Sequence, residues 1–319
     1  MRLTFLSAAL CALALAPAQA QDLDCDQIRL IVPYGGGGAT DVASRVVADR
    51  LQPVIGKTVI VENKPGATGN IGTRYVIGEK PDGCTLLVNA TVIATFLTSF
   101  KNLGYDPYDD LVPIGGLART PNVIVSAPEV PANNLTELVA LAKKTDGGIS
   151  YGTSGFGLQQ HLVAEAIAQQ SDSEFVLVPY KAASEIITDV LSSRLQFASL
   201  LIGTTKGMVQ QGKLKALAVA QDERSRLLPD VPTTTEQGFP GLNGAVHFLI
   251  FAPAGTPAPV VARLEGALKQ VIGDPAVTEH FLTIGFETTP MTSKEVTAEM
   301  HRTADTFAPV IKSLGISLN

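Results

Sequence analysis

Two stretches carry the residue types best placed to do chemistry. The first is Pro33-Tyr34-Gly35-Gly36-Gly37-Gly38-Ala39-Thr40-Asp41, and the second is Tyr151-Gly152-Thr153-Ser154-Gly155-Phe156-Gly157-Leu158. Each follows an apolar run and precedes an amphipathic helical pattern, so each reads as strand, loop and helix start. A glycine loop of this kind exposes backbone N–H groups, with the positive end of a helix dipole behind them. Such donors hold an anion without any lysine or arginine. The plainer reading of the first stretch is a flexible turn between two elements.

Other chemistries fit less well. Gly35-x-Gly37 with Glu62 beyond it imitates a dinucleotide fingerprint, but Thr40 stands at the third glycine position. A phosphate-binding loop needs Gly-Lys-Ser/Thr where Gly38 is followed by Ala39-Thr40. Phe156 occupies the last position of the Gly-x-Ser-x-Gly elbow, so the enzyme alternative is reduced to a secreted Ser154 hydrolase using His161 or His247 as base. His161 reads better as a packed or loop-bonded histidine. Four scattered histidines offer no metal-ligand spacing, and no motif asks for a cofactor.

The elements that must position these loops alternate along the chain. A strand at Ile28 to Val32 leads to a helix from about Thr40 to Ile55. The strand Thr58 to Val61, a helix through Ile71 to Ile77 and a strand from Thr85 to Val88 follow. This β-α-β-α-β order implies parallel strands with right-handed crossovers, and ligands bind at their carboxyl ends, where Asn89-Ala90-Thr91 also falls. A second unit repeats the pattern with strands at 122–125, 149–153 and 176–180. It has helices from Asn134 to Lys144, Leu158 to Gln169 and Ser184 to Leu191. Beyond the strand 214–219, Val246 to Phe251 forms another strand, Pro257 opens a helix, and a last helix runs from about Thr292 toward Leu314 with a break or kink at Pro309. Val123 to Val125 and Phe248 to Phe251 bracket the second unit, which suggests paired crossover strands. Two glycine-rich loops from two halves of the chain describe a cleft between domains.

At 319 residues, 45% hydrophobic and 17% charged, the chain can bury two cores. Arg2, the apolar run Leu3 to Leu15 and Ala18-Gln19-Ala20 match a secretory signal, so residues 1–20 read as a signal peptide for a soluble exported protein. No small-residue lipobox precedes Cys25. Loss of Arg2 changes 24 basic against 30 acidic residues to 23 against 30, a net of −7. That balance argues against nucleic acid or an anionic membrane as partner. Cys11 leaves with the signal, and Cys25 and Cys84 remain, each just before an apolar run. In an oxidising compartment they invite a disulfide, with two free buried thiols as the alternative; parallel neighbouring strands would put both sulfurs at one end of the sheet.

Read together and in order, several stretches resemble the periplasmic solute-binding proteins of tripartite tricarboxylate transporters, the Bug family. They are residues 28–41, Val61-Glu62-Asn63-Lys64-Pro65-Gly66-Ala67 with Gly69-Asn70-Ile71-Gly72, Pro81-Asp82-Gly83, Tyr151 to Gly157 with His161-Leu162, Val178-Pro179-Tyr180-Lys181, and Ala252 to Pro257. The resemblance spans essentially the whole mature chain. It implies an α/β fold of two domains, a type II periplasmic binding-protein clamshell with parallel-rich sheets flanked by helices and two crossover strands. The domains would comprise residues 21–122, 123–246 and 247–319, the last completing the first. It implies a monomer that captures a small organic carboxylate in the periplasm for the transporter's membrane subunits. A sensor accessory with the same pocket is the alternative.

Carried over by position, the ligand residues are Tyr34, Gly36, Gly37, Gly38, Ala39, Thr40 and Asp41 on one side. On the other are Thr153, Ser154, Gly157, Leu158 and His161, with Tyr180, Lys181 and Ala182 at the cleft wall; Thr91 joins them from the third strand's end. Backbone donors of Gly36 to Ala39 and hydroxyls of Thr40, Thr153 and Ser154 would share one carboxylate. The chain departs from the family at Leu158, often a hydroxyl residue, at Ala182, usually glycine, at Glu185-Ile186 and residues 192–196, and at His247-Phe248. Leu158 and Ala182 favour an apolar or aromatic ligand body over a second hydrated carboxylate.

Overall fold

A computed structural model describes residues 23–153, 155–180 and 182–318. The expected signal peptide, Ser154 and Lys181 lie outside those residues. Among the described residues no helix is long and apolar enough to cross a membrane.

The chain builds one lobe, crosses to a second, and returns. Lobe 1 opens with β1 (Gln27–Val32), α1 (Ala39–Ile55), β2 (Thr58–Asn63), α2 (Asn70–Ile77), β3 (Thr85–Ala90), a short α3 (Phe96–Ser99) and β4 (Leu111–Thr120). Lobe 2 comprises β5 (Asn122–Ser126), α4 (Leu135–Lys144), β6 (Ile149–Thr153), α5 (Gln159–Ser171), β7 (Phe175–Pro179), α6 (Ala183–Leu191), β8 (Phe197–Leu201), α7 (Ile202–Gln210) and β9 (Lys215–Val219). The return supplies β10 (Val246–Pro253), α8 (Ala258–Ile272), α9 (Pro275–Thr283), β11 (Glu287–Thr288) and α10 (Ser293–Ser313).

Two sheets result, β11-β4-β10-β3-β1-β2 and β7-β6-β8-β5-β9. β1 lies between β2 and β3 and is parallel to both, so the first sheet reverses its order at β1, where the glycine loop emerges. That arrangement puts Cys25 and Cys84 at one end of neighbouring strands, and they form a disulfide with Cα atoms 6.2 Å apart. Helices cover both faces, which is why the core strands are apolar runs rather than alternating ones.

Two expectations need correction, and three strands must be added. Val123–Val125 and Phe248–Phe251 do not pair: β5 lies between β8 and β9, while β10 lies between β3 and β4. β10 pairs with both β3 and β4, and in β4 Pro113, Gly115 and Gly116 weaken the strand signal in the sequence. The true crossovers are therefore Thr120-Pro121-Asn122 and the return at Gly244 to Val246. They are tied by Asn122 Nδ2 donating to Gly244 O at 2.6 Å and Gly244 N donating to Ala220 O at 2.9 Å. β8 and the two-residue β11 are further strands the sequence did not announce. Pro309 does not break the last helix, which runs through it from a Thr292/Glu295 capping box to Ser313.

Two hydrophobic cores follow the lobes. One gathers residues from 23–118 and 248–300, the other from 123–242 and 307–316. α10 belongs to both: Val296 and Met300 enter the first core, and Phe307, Val310 and Ile311 the second. Burying each such side chain is worth roughly 1.5–3 kcal/mol. The helix therefore ties the lobes together alongside the two crossovers.

Candidate functional site

On lobe 1 the chain leaves β1 through a turn in which Gly37 adopts φ 80°, a region open to glycine at little cost. Gly38 then caps α1 with an extended backbone and has no side chain to accept from the first-turn N–H groups. Those amides stay open at the positive end of a 17-residue helix. The turn is held from below by Asp41, 3% exposed. One carboxylate oxygen accepts from Gly37 N at 2.9 Å and Arg45 Nε at 3.0 Å, and the other from Arg45 Nη2 and Asn63 Nδ2, both at 2.9 Å. Burial opposes ionisation of Asp41, but the bonds from Arg45, Gly37 and Asn63 together hold its carboxyl below the usual range. The charge is spent inside the loop, so a ligand meets the amides rather than the carboxylate or the guanidinium. Asn63 Nδ2 also donates to Tyr34 O at 3.1 Å, and Tyr34 Oη donates to Asn89 Oδ1 at 2.8 Å, which fixes the ring beside Gly69.

Lobe 2 repeats the device with other parts. β6 ends at Thr153, Gly157 takes φ 76°, and Leu158 caps α5 without a side-chain acceptor. Here the brace is His161, whose Nδ1 accepts from Gly157 N at 3.0 Å. Burial pushes the imidazole down to about 4, so it is neutral, with its proton on Nε2 facing Glu165 Oε1 at 3.9 Å. Phe156 lies against the ring at 4.9 Å. His161 is thus loop-bonded. A ring that takes its proton only near pH 4, with Nδ1 already engaged, is a poor general base. Burial, followed by Arg119 and Arg302, pushes His247 down to about 3; its backbone N–H donates to Thr91 Oγ1 at 3.2 Å. No group of three His, Cys, Asp or Glu side chains among the described residues could hold a metal.

Both helix starts open on one cleft of about 210 Å³. Lobe 1 contributes Tyr34, Gly38, Ala39, Thr40, Ala90 and Val92; lobe 2 contributes Leu158, Gln159, Gln160 and Leu201; Val246 and Phe248 of the returning strand complete it. None of these residues carries a formal charge, and most are apolar. Gln159 Nε2 donates to Ala245 O at 3.1 Å, tying the start of α5 to the return crossover.

Of the residues singled out from sequence, Tyr34, Gly38, Ala39, Thr40 and Leu158 line this cleft, and Gly36 and Gly37 form the turn beside it. Asp41 and His161 brace the loops. The Thr91 hydroxyl accepts from the hinge, and the Thr153 hydroxyl donates to Gly155 O at 3.5 Å. Tyr180 turns its hydroxyl to Asp189 Oδ2 at 2.6 Å, where burial pushes it up to about 12, and Ala182 caps α6. Sequence reasoning placed Ala90 at the ligand end of the third strand without naming it a contact, and missed Val92, Gln159, Gln160, Leu201 and Val246. The two glutamines follow the second helix start and were reachable from it; the apolar wall residues carry no motif.

The family model of the tripartite tricarboxylate transporter family receptor, TctC, matches residues 43–316. A UPF0065 protein from the gbd 5′ region of Cupriavidus necator is 33% identical over 319 residues, covering 98% of this chain and 96% of the relative. The periplasmic binding protein BugD has a similar structure, with TM-score 0.73 and 32% identity over 91% of this chain and 98% of its own. Rpa4515 of R. palustris, solved with adipate, gives TM-score 0.76 and 28% identity over 91% and 97%.

Proposed function

The chain belongs to the tripartite tricarboxylate transporter receptor family, whose members are solute-binding proteins rather than enzymes, and from that premise we propose that it captures a small organic carboxylate of predominantly apolar body. One carboxylate group sits between the open amides at the start of α1 and those at the start of α5. Thr40 adds a hydroxyl, and ordered water fills the remaining contacts. Because the two donor sets belong to different lobes, the ligand bridges them and favours the closed cleft. Ser154 and Lys181 belong to the same reading.

The observation that carries this reading is the convergence of two uncapped helix starts on one cleft lined without formal charge. A second carboxylate would find no counter-charge among the described lining residues, and the carbon frame would instead pack against Leu158, Leu201 and Phe248. The adipate bound by Rpa4515 supports the carboxylate class. The protein acts as a monomer, exported to the periplasm by its first twenty residues, and hands its ligand to the transporter's membrane subunits.

A thermal-shift screen of mono-, di-, tri- and aromatic carboxylates on the mature protein tests the reading, since a ligand bound only by the folded state raises its stability. Aromatic or medium-chain monocarboxylates are expected to give the largest shifts, and citrate a smaller one. Citrate as the strongest ligand would sink the apolar-pocket reading, and no shift with any carboxylate would sink the ligand class.

A further inference from the structure

Glu287 on β11 is a carboxylate only 5% exposed that takes hydrogen bonds from both lobes. Its Oε2 accepts from Arg119 Nε at 2.8 Å, its direct partner on β4. Its Oε1 accepts from the Ser225 hydroxyl at 2.7 Å and from Arg226 N at 2.8 Å. Ser225 and Arg226 follow β9 and immediately precede Leu227 and Leu228 of the second core. Beside this junction the two backbones nearly touch. A Cβ built on Gly285, at φ 84° just before β11, would stand 2.4 Å from the Cα of Gly203 in the first turn of α7.

The sheet orders place this junction relative to the ligand cleft. In lobe 1, β1 and β3, which carry the cleft loops, lie on one side of the crossover strands β4 and β10, and β11 lies on the other. In lobe 2, β6 lies on one side of the crossover strand β5, and β9 lies on the other. The cleft and the Glu287 junction thus occupy opposite sides of the hinge in both sheets. A rotation about the crossovers that shortens one side lengthens the other.

We propose that Glu287 is a counter-latch behind the hinge that holds the ligand-free protein against closure and so sets its ligand affinity. Closing the cleft on a ligand pulls Ser225 and Arg226 away from Glu287, and the lost bonds subtract from the binding free energy. Weakening the latch raises the fraction of closed, binding-competent protein and tightens binding without touching the cleft. The affinity arm of this inference rests on the binding function proposed above; the conformational arm does not.

Two variants outside the cleft lining test it. Ser225→Ala removes one donor of lobe 2. Glu287→Gln gives both lobe 2 donors a neutral acceptor and removes the counter-charge of Arg119. Both should shrink the radius of gyration of the ligand-free protein in solution scattering. By calorimetry both should lower the Kd for benzoate or hexanoate by about three- to tenfold. An unchanged radius and an unchanged or weaker affinity, with native circular dichroism, would overturn the latch. If the unaltered protein binds neither probe, the binding reading fails, and the scattering comparison alone decides the latch. Should Ser225→Ala not fold, because the same hydroxyl accepts from Leu227 N, Glu287→Gln decides.

Discussion

Lobe 1 and lobe 2 each aim an uncapped helix start at the cleft, but they hold it in place by different chemistry. The α1 turn is braced by an ionised carboxylate with four hydrogen bonds, and a disulfide staples the far end of its sheet. The α5 turn is braced by one neutral imidazole, and the sequence gives that lobe no cysteine. The same dipole anchor can therefore be set rigidly or lightly, and the lightly held lobe is the one that also presents Leu158 to the cleft and carries the 54% exposed Phe156 against the His161 ring. We read lobe 1 as the fixed half of the proposed carboxylate seat and lobe 2 as the half that adapts to the ligand.

The largest expected contrast comes from the staple. Reducing the Cys25–Cys84 bridge, which closes a 59-residue separation, should destabilise the protein by about 2–5 kcal/mol. The loss should fall on lobe 1, read as faster amide exchange in β1 and β3 than in β6 and β8. Equal loosening of both lobes would mean that they unfold as one unit.

Acid should separate the lobes in the opposite sense. His161 titrates at about 4 in the fold against an ordinary 6.5, so the unfolded chain takes up its proton first. Its contribution, roughly 2–3 kcal/mol, is complete above pH 6.5 and is lost as pH falls toward 4. Asp41 is held below its ordinary 3.8, so its contribution persists above that value and fades only at lower pH. His247 shifts in the same direction as His161, so the variant His161→Gln isolates the brace: melting temperature should fall less steeply between pH 6.5 and 4. A slope equal to that of the unaltered protein would show that the titrating group lies elsewhere.

Gly37→Val tests the seat itself. A β-branched residue at φ 80° costs about 1–3 kcal/mol, which either unmakes the turn or strains it, and binding should weaken by roughly tenfold or more while far-UV circular dichroism is kept. Full affinity in this variant would reduce the loop to a connector. The smallest effect is expected at Leu158→Thr, which gives α5 a capping hydroxyl and one more polar group at the cleft. Calorimetry should show the preference for benzoate over citrate narrowing by about 1 kcal/mol or less. An unchanged preference would mean that the Leu158 side chain does not meet the ligand.

Much of this was readable before any coordinates. Apolar runs ending in glycine announced β1 and β6, because buried parallel strands need no alternation and their exits need open backbone. β4 was hidden because its Gly115 and Gly116 are there for close packing: a Cβ on either would meet Leu268 or the backbone of Thr289 and Met291 within 3 Å. The pairing of β10 went wrong in part for the same reason, since β4, one of its two partners, had not been seen. At the site, the helix starts were legible from glycine and helix periodicity. Val92, Leu201 and Val246 were not, because an apolar wall is defined by what faces it across space. Thr91, Thr153 and Tyr180 have suitable chemistry, but their hydroxyls are engaged by the hinge, by the backbone and by Asp189.

β10 occupies the middle of the first sheet, between β4 and β3, yet it is made only after the whole of lobe 2. A chain emerging amino end first can complete the second sheet once Val219 is out. The first sheet must wait for Val246, leaving the exposed edges of β3 and β4 unpaired meanwhile. Loop-closure entropy makes such distant pairings slow. We therefore expect lobe 2 to fold first and lobe 1 to be the aggregation-sensitive intermediate. In pulsed hydrogen exchange during refolding, protection of β6 and β8 should precede that of β3 and β4, and simultaneous protection would count against this order.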